Sequence, residues 1–193
     1  MNTQEVKAGL RQELKNLREA LSLAQRENAA SNAELKIIDL PEWKRAKVVC
    51  LYASFKEELP TLQFLQKVLA TEKKCVLPKV NSQGEPELYI VENFRDLELS
   101  PLEILEPKKN CTLISPAQID FFLVPGIGFD RLGHRLGHGS GFYDRLLSQA
   151  NPSAFFLGYC YDFQVVPAIP FEAHDIGMHA VVTPTQIIYI KPA

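Results

Sequence analysis

Six of the ten glycines fall between Gly126 and Gly141, with basic residues set among them. The stretch reads Phe121-Phe-Leu-Val-Pro-Gly-Ile-Gly-Phe-Asp-Arg-Leu-Gly-His-Arg-Leu-Gly-His-Gly-Ser-Gly-Phe-Tyr-Asp-Arg145. An apolar run, Phe121 to Val124, reads as a buried strand, and Phe142 to Gln149 can form a helix after the glycines. Strand, glycine loop and helix together bring backbone N–H groups and a helix N-terminus up to a phosphate. Arg131, Arg135 and Arg145 can add charge-assisted hydrogen bonds to the same anion. Asp144, just inside the helix start, can hold a cation that the anion carries.

The loop departs from the better-known phosphate and nucleophile motifs. A P-loop ends in Gly-Lys-Ser/Thr, and no lysine lies here. A dinucleotide fingerprint needs Gly-x-Gly-x-x-Gly, whereas Gly137-His-Gly-Ser-Gly141 is followed by Phe142. Ser140 is flanked two residues away by His138 and Phe142, so Gly-x-Ser-x-Gly fails. His134 and His138 are four apart, but the glycines around them oppose a helical metal site. A flexible connection with incidental charge is the plain alternative to an anion site.

The elements that must position this loop alternate along the chain. Residues 3–28 read as one helix, with Leu10, Leu14, Leu17 and Leu21 as its docking stripe. A second helical piece is expected from Ser31 to Leu40, with Ser31 as N-cap and Glu34 completing a capping box, ended by Pro41. Strands are expected at 48–53, 74–77, 87–91, 120–124, 154–160 and 186–190, a helix at 61–71, and irregular chain at 92–119. Strands alternating with helices point to an α/β layer with a largely parallel sheet, whose ligands bind beyond the carboxyl ends of the strands. The glycine loop follows such an end.

At 193 residues and 46% hydrophobic, the chain reads as a single domain, 1–193: a helical segment, 1–40, docked on an α/β core, 46–193. The net charge of −2 offers no general field for nucleic acid or an anionic membrane. Neither a spanning apolar run nor a signal-peptide pattern is found, so a cytoplasmic location is expected. Cys50, Cys75, Cys111 and Cys160 lie far apart, without a Cys-x-x-Cys pair, and read as free thiols.

Val124-Pro-Gly-Ile-Gly-Phe-Asp130, then Gly133, then Arg135-Leu-Gly-His-Gly-Ser-Gly-Phe-Tyr-Asp-Arg145 resembles the C-terminal block of the 5-formyltetrahydrofolate cyclo-ligase (5,10-methenyltetrahydrofolate synthetase) family. Lys7-Ala-Gly-Leu-Arg11 resembles its N-terminal Lys-x-x-x-Arg. Glu58-Leu-Pro-Thr61, Glu106-Pro107 and His174-Asp175 with Val181-Val-Thr183 follow in the family's order. The resemblance covers nearly the whole chain, and its Arg-Leu-Gly-x-Gly-x-Gly-[Phe/Tyr]-Tyr-Asp string is specific. Three positions depart. His138 stands where members vary, His179 stands where many carry aspartate, and Pro60 replaces an acidic residue.

The resemblance implies a three-layer α/β sandwich with a mostly parallel central sheet and a docked N-terminal helix. It implies an ATP- and Mg²⁺-dependent ligase that closes 5-formyltetrahydrofolate to 5,10-methenyltetrahydrofolate with release of ADP and phosphate. It assigns the ATP to Lys7, Ala8, Gly9, Leu10, Arg11, Arg135, Leu136, Gly137, His138, Gly139, Ser140, Gly141, Phe142 and Tyr143. It assigns the folate to Ala53, Ser54, Phe55 and Glu58 with His138, Gly139, Ser140, Gly141 and Phe142. Asp144 and Asp175 would hold Mg²⁺, and Arg135, Tyr143 and Asp144 would serve catalysis. Small-molecule substrates, a monomer, and neither nucleic acid nor membrane as partner are the matching expectations. Two alternatives stay open: a paralogue with the same ATP site and another substrate, and a non-catalytic nucleotide-binding module.

Overall fold

The structure, a computed structural model that describes residues 2–101 and 103–191, opens with helices α1 (Thr3–Glu19), α2 (Leu23–Asp39) and α3 (Pro41–Arg45). The first two are separate helices rather than the long one expected. Ser22 accepts from the amide of Gln25, whose side chain accepts from the Ser22 amide, so Ser22-Leu-Ala-Gln25 is a capping box that restarts the chain. Ser31, expected as the cap, lies inside α2. Pro41 does end α2 and, having no N–H to lose, begins α3.

The strands are β1 (Val48–Cys50), β2 (Lys74–Val80), β3 (Pro86–Val91), β4 (Leu97–Leu99), β5 (Leu105–Pro107), β6 (Phe121–Pro125), β7 (Gly128–Asp130), β8 (Arg135–Leu136), β9 (Phe155–Tyr159), β10 (Val165–Val166), β11 (Ala180–Val182) and β12 (Ile187–Tyr189). Helix α4 (Leu62–Leu69) follows β1, and α5 (Phe142–Leu147) follows β8. The main sheet runs β12-β11-β9-β6-β1-β2-β3. Its five inner strands are parallel, and β3 and β12 close the edges antiparallel. Pro78 does not stop β2, because it lies beyond the last β1 partner and β1 asks no amide of it.

Alternation along β6 divides the core. Phe121 and Leu123 face α2, α3 and α4, where Ile37, Trp43, Phe64 and Leu65 are buried. Phe122 and Val124 face α5, with Leu146 and Leu147. The result is the expected three-layer α/β arrangement. Trp43 packs edge-on against Phe121, 5.2 Å between centroids, so it covers the sheet's centre rather than its edge.

The glycine stretch is more ordered than a plain loop. β7 and β8 form a hairpin, and β10 joins it in a second, three-stranded sheet. Helix α1 docks there through Leu14, which is buried with Ile127, Leu136 and Ile169 and has Leu10 packed alongside. Its inward face is Lys7, Leu14 and Arg18, three positions at helical spacing, while Leu17 of the expected stripe is exposed. Cys50, Cys75 and Cys160 are buried, and all four cysteines are free thiols. No helix among the described residues is long and apolar enough to cross a membrane.

Candidate active site

A cleft of about 1230 Å³ opens where the carboxyl ends of β1 and β6 meet the glycine loop, α1 and the 167–178 strap between β10 and β11. The loop lines it continuously from Arg135 to Arg145. Gly141 precedes α5 at φ +67°, a left-handed conformation that favours glycine and turns the chain into the helix. Among the described residues, the amides of Gly137, His138, Gly139 and Ser140 donate to no protein acceptor. Four successive unpartnered N–H groups at a cleft wall suit an anion. Helix α5 has six residues, so the expected help from a helix terminus is small, and the loop amides are the stronger candidate donors.

The cations around this wall are already engaged. Arg135 directs Nη2 at both carboxylate oxygens of Asp144, at 2.9 and 2.8 Å, with side chains 6% and 17% exposed. Arg11 Nε donates to the Gly137 carbonyl at 2.9 Å. Lys7 Nζ lies 3.1 Å from Glu172 Oε1 and 3.5 Å from Asp175 Oδ2. Arg145 donates to the carbonyls of Ser140 (2.7 Å) and Gly84 and to Glu85, so it clamps the glycine loop to the β2–β3 turn. Arg131 is exposed and outside the lining, which corrects its inclusion among the anion-facing arginines.

Asp144 reaches the strap beside Asp175: its Oδ1 accepts from the amide of Ile176 at 3.2 Å, and both residues line the cleft. Asp175 Oδ2 accepts from the amide of Glu172 at 2.9 Å. The strap bearing Glu172 and Asp175 is bolted to the β7–β8 hairpin by buried Asp130. That carboxylate accepts from the amides of Leu132, His134 and Ile169 and pairs with His134 Nδ1. His134 also stacks on Phe171, 4.3 Å between centroids. Among the described residues no group of three or more metal-ligating side chains occurs.

On the opposite wall Glu58 Oε2 accepts from the Phe55 amide at 3.0 Å, and Oε1 lies 3.7 Å from His138 Nε2. Ala53, Phe55 and Glu58 line the cleft with Phe142 and Tyr143. Tyr143 lies beneath the Arg135 guanidinium, 5.6 Å from ring centroid to charge. Burial, and then the negative charges near them, push the phenols of Tyr143 and Tyr52 well above the usual tyrosine range, so both remain protonated donors at neutral pH.

Most of the residues expected from the sequence therefore meet in one cleft. Ala8, Gly9, Leu10 and Ser54 do not line it. Ala8 and Gly9 are exposed on α1, and Leu10 packs beside Leu14. The Ser54 hydroxyl accepts from Thr61 N at 3.2 Å and its amide donates to Thr61 Oγ1, which seals the 54–61 turn. Sequence reasoning passed over Tyr52 and Glu172, both in the lining. Tyr52 ends the first strand's apolar run, and Glu172 precedes Asp175 in an acidic segment.

Fold and cleft define a class: an α/β protein with a cleft, lined by cations and carboxylates, at the carboxyl edge of a parallel sheet, where such folds bind ligands. The 5-formyltetrahydrofolate cyclo-ligase family model matches residues 3–184. A probable 5-formyltetrahydrofolate cyclo-ligase of Schizosaccharomyces pombe is 32% identical over 168 residues, 79% of this chain and 82% of that one. The 5-formyltetrahydrofolate cyclo-ligase of Escherichia coli is 30% identical over 183 residues, 90% and 98% of the two chains. The solved structure of Aquifex aeolicus 5,10-methenyltetrahydrofolate synthetase superposes with a TM-score of 0.87 at 34% identity, covering 97% of this chain and 94% of that one. The chain belongs to the 5-formyltetrahydrofolate cyclo-ligase family, a family of ligases.

Proposed function

We propose that the protein uses ATP to close 5-formyltetrahydrofolate to 5,10-methenyltetrahydrofolate. The observation that supports it most is the run of four unpartnered amides from Gly137 to Ser140, facing Glu58 across one cleft. The formyl group on N5 is an amide whose oxygen leaves poorly. Transfer of the γ-phosphoryl group to that oxygen releases ADP and turns the oxygen into phosphate. N10 then attacks the formyl carbon, the carbon–oxygen bond breaks, phosphate departs, and N10 gives up its proton. No protein nucleophile is needed, so alignment and charge stabilisation are the protein's tasks.

On this reading the loop amides, with Lys7, Arg11 and Arg135, hold the phosphates. Glu58 accepts hydrogen bonds from the amino and ring N–H groups of the pterin, an acceptor role open to an ionised carboxylate. Its Phe55 hydrogen bond aims it. Ala53 and Phe55 form the folate wall, while Phe142 and Tyr143 offer aromatic faces between nucleotide and folate. Tyr143, kept protonated, donates to the oxygen being phosphorylated.

Asp144 and Asp175 are the carboxylates suited to Mg²⁺: both are hard oxygen donors that line the cleft beside the proposed phosphate wall. Mg²⁺ shared with phosphates is typically held by one or two carboxylates. When bound, the ion would neutralise charge on the transferring group. Each carboxylate now faces a cation, Arg135 or Lys7, which the phosphates would take over. The near-neutral net charge and the free thiols favour a cytoplasmic enzyme.

The test is ADP release from Mg·ATP with and without 5-formyltetrahydrofolate. Folate-dependent release, lost in Glu58→Ala, is expected. Release that ignores the folate would overturn the reading, and ATP binding without any turnover would leave a nucleotide-binding module in its place.

A further inference from the structure

The corner of the cleft around Lys7 carries more negative charge than it needs. One ammonium group, only 11% exposed, faces two carboxylates. Asp175 gives Lys7 a second carboxylate, 3.5 Å away, and Asp175 is itself fixed by the backbone amide of Glu172 rather than by the Glu172 side chain. The strap keeps its place through Asp130 and the His134–Phe171 stack, again without that side chain. The Glu172 carboxylate is 38% exposed, and its other neighbour is exposed His174, at 3.9 Å. It is therefore free to leave Lys7 for solvent. It occupies the ammonium group that an incoming phosphate would use.

We infer that Glu172 acts as a built-in competitor of the nucleotide phosphates: it neutralises Lys7 in the empty cleft and lowers affinity for ATP and ADP. This rests on the placement of the nucleotide proposed above. A carboxylate beside a polyanion opposes binding by repulsion, and it must be displaced before Lys7 can change partners. Asp175 differs because it is the carboxylate assigned to Mg²⁺. Glu172 has no such offsetting role, so its charge works against the bound nucleotide throughout.

The test is calorimetric titration of the whole protein with ADP, in EDTA and in Mg²⁺, for wild type, Glu172→Gln and Lys7→Ala. Gln keeps an oxygen for Lys7 and removes the charge. Glu172→Gln should bind ADP about two- to fivefold more tightly, a range set by a partly exposed charge pair. The gain should shrink as KCl is raised, because the effect is electrostatic. Circular dichroism should show the same fold. Unchanged or weaker binding by Glu172→Gln, while Lys7→Ala binds worse than wild type, would overturn the inference and leave the nucleotide placement standing. If Lys7→Ala binds ADP as wild type does, both the inference and that placement fail.

Discussion

The pair of Arg135 and Asp144 is both buried and central to the cleft, so its removal can be worked through in energy. Arg135 Nη2 reaches the two Asp144 oxygens at 2.9 and 2.8 Å, and the guanidinium Nε already lacks a partner among the described residues. In Asp144→Asn the cation keeps one amide oxygen and loses its counter-charge. Breaking a buried pair from one side costs roughly 3–5 kcal/mol. The surviving oxygen argues for the lower end, about 3 kcal/mol. For a chain of this length each kcal/mol moves the apparent Tm by about 2–4 °C, so a fall of roughly 6–12 °C is expected. Arg135→Met with Asp144→Leu replaces the pair by apolar groups of similar size and should recover most of that loss. Thermal unfolding of the wild type, Arg135→Met, Asp144→Leu and the double variant gives the coupling energy. A single-variant shift below about 2 °C, or a double variant no better than the singles, would refute the claim that this pair is a buried, mutually dependent unit. Activity should vanish in Asp144→Asn even well below its melting temperature.

Asp130→Asn should cost about 2–4 kcal/mol, because the carboxylate is buried and takes hydrogen bonds from both the hairpin and the strap. It should raise KM for ATP without touching substrate, and a wild-type melting curve would contradict the coupling of hairpin to strap. Gly137→Ala places a Cβ 2.7 Å from Arg135 Nη1, so KM for ATP should rise more than KM for folate; the reverse order in steady-state kinetics would misplace the phosphates. His179 Nδ1 accepts from the Phe156 amide, and desolvation holds its pKa below the usual histidine value. The unfolded chain then binds the proton more readily, so stability is present above about pH 6.5 and falls as pH drops below it. His179→Asn keeps an acceptor that does not titrate and should flatten that fall in Tm-versus-pH curves; an unchanged slope would exclude His179.

The strands and the glycine loop were legible because they are written in local terms: an apolar run, clustered glycines, and Pro86 where an edge strand begins; Pro78 misled, because it reads as the end of a strand that runs on to Val80. The break at Ser22 was equally local, a Ser-x-x-Gln box, but the leucine stripe masked it. Leu17 shows why that stripe misled. Helix α1 meets a narrow three-stranded sheet, and buried Lys7 and Arg18 occupy positions that hydrophobic spacing alone would give to leucines. The small sheet itself was hidden, since β7, β8 and β10 are two or three residues long and pair across the chain. The site residues on the loop were visible, whereas their present partners were not. That Arg135 answers Asp144, and Lys7 answers Glu172, depends on how the strap folds back, and no spacing encodes it.

The central claim is chemical, and the product reports on it. Purified protein, Mg·ATP and 5-formyltetrahydrofolate are mixed, and the near-ultraviolet absorbance of the methenyl product is followed. Reactions without ATP and with Asp144→Asn run alongside. A rise that needs ATP and is absent in the variant is expected. A flat trace from folded protein that binds both ligands would contradict it.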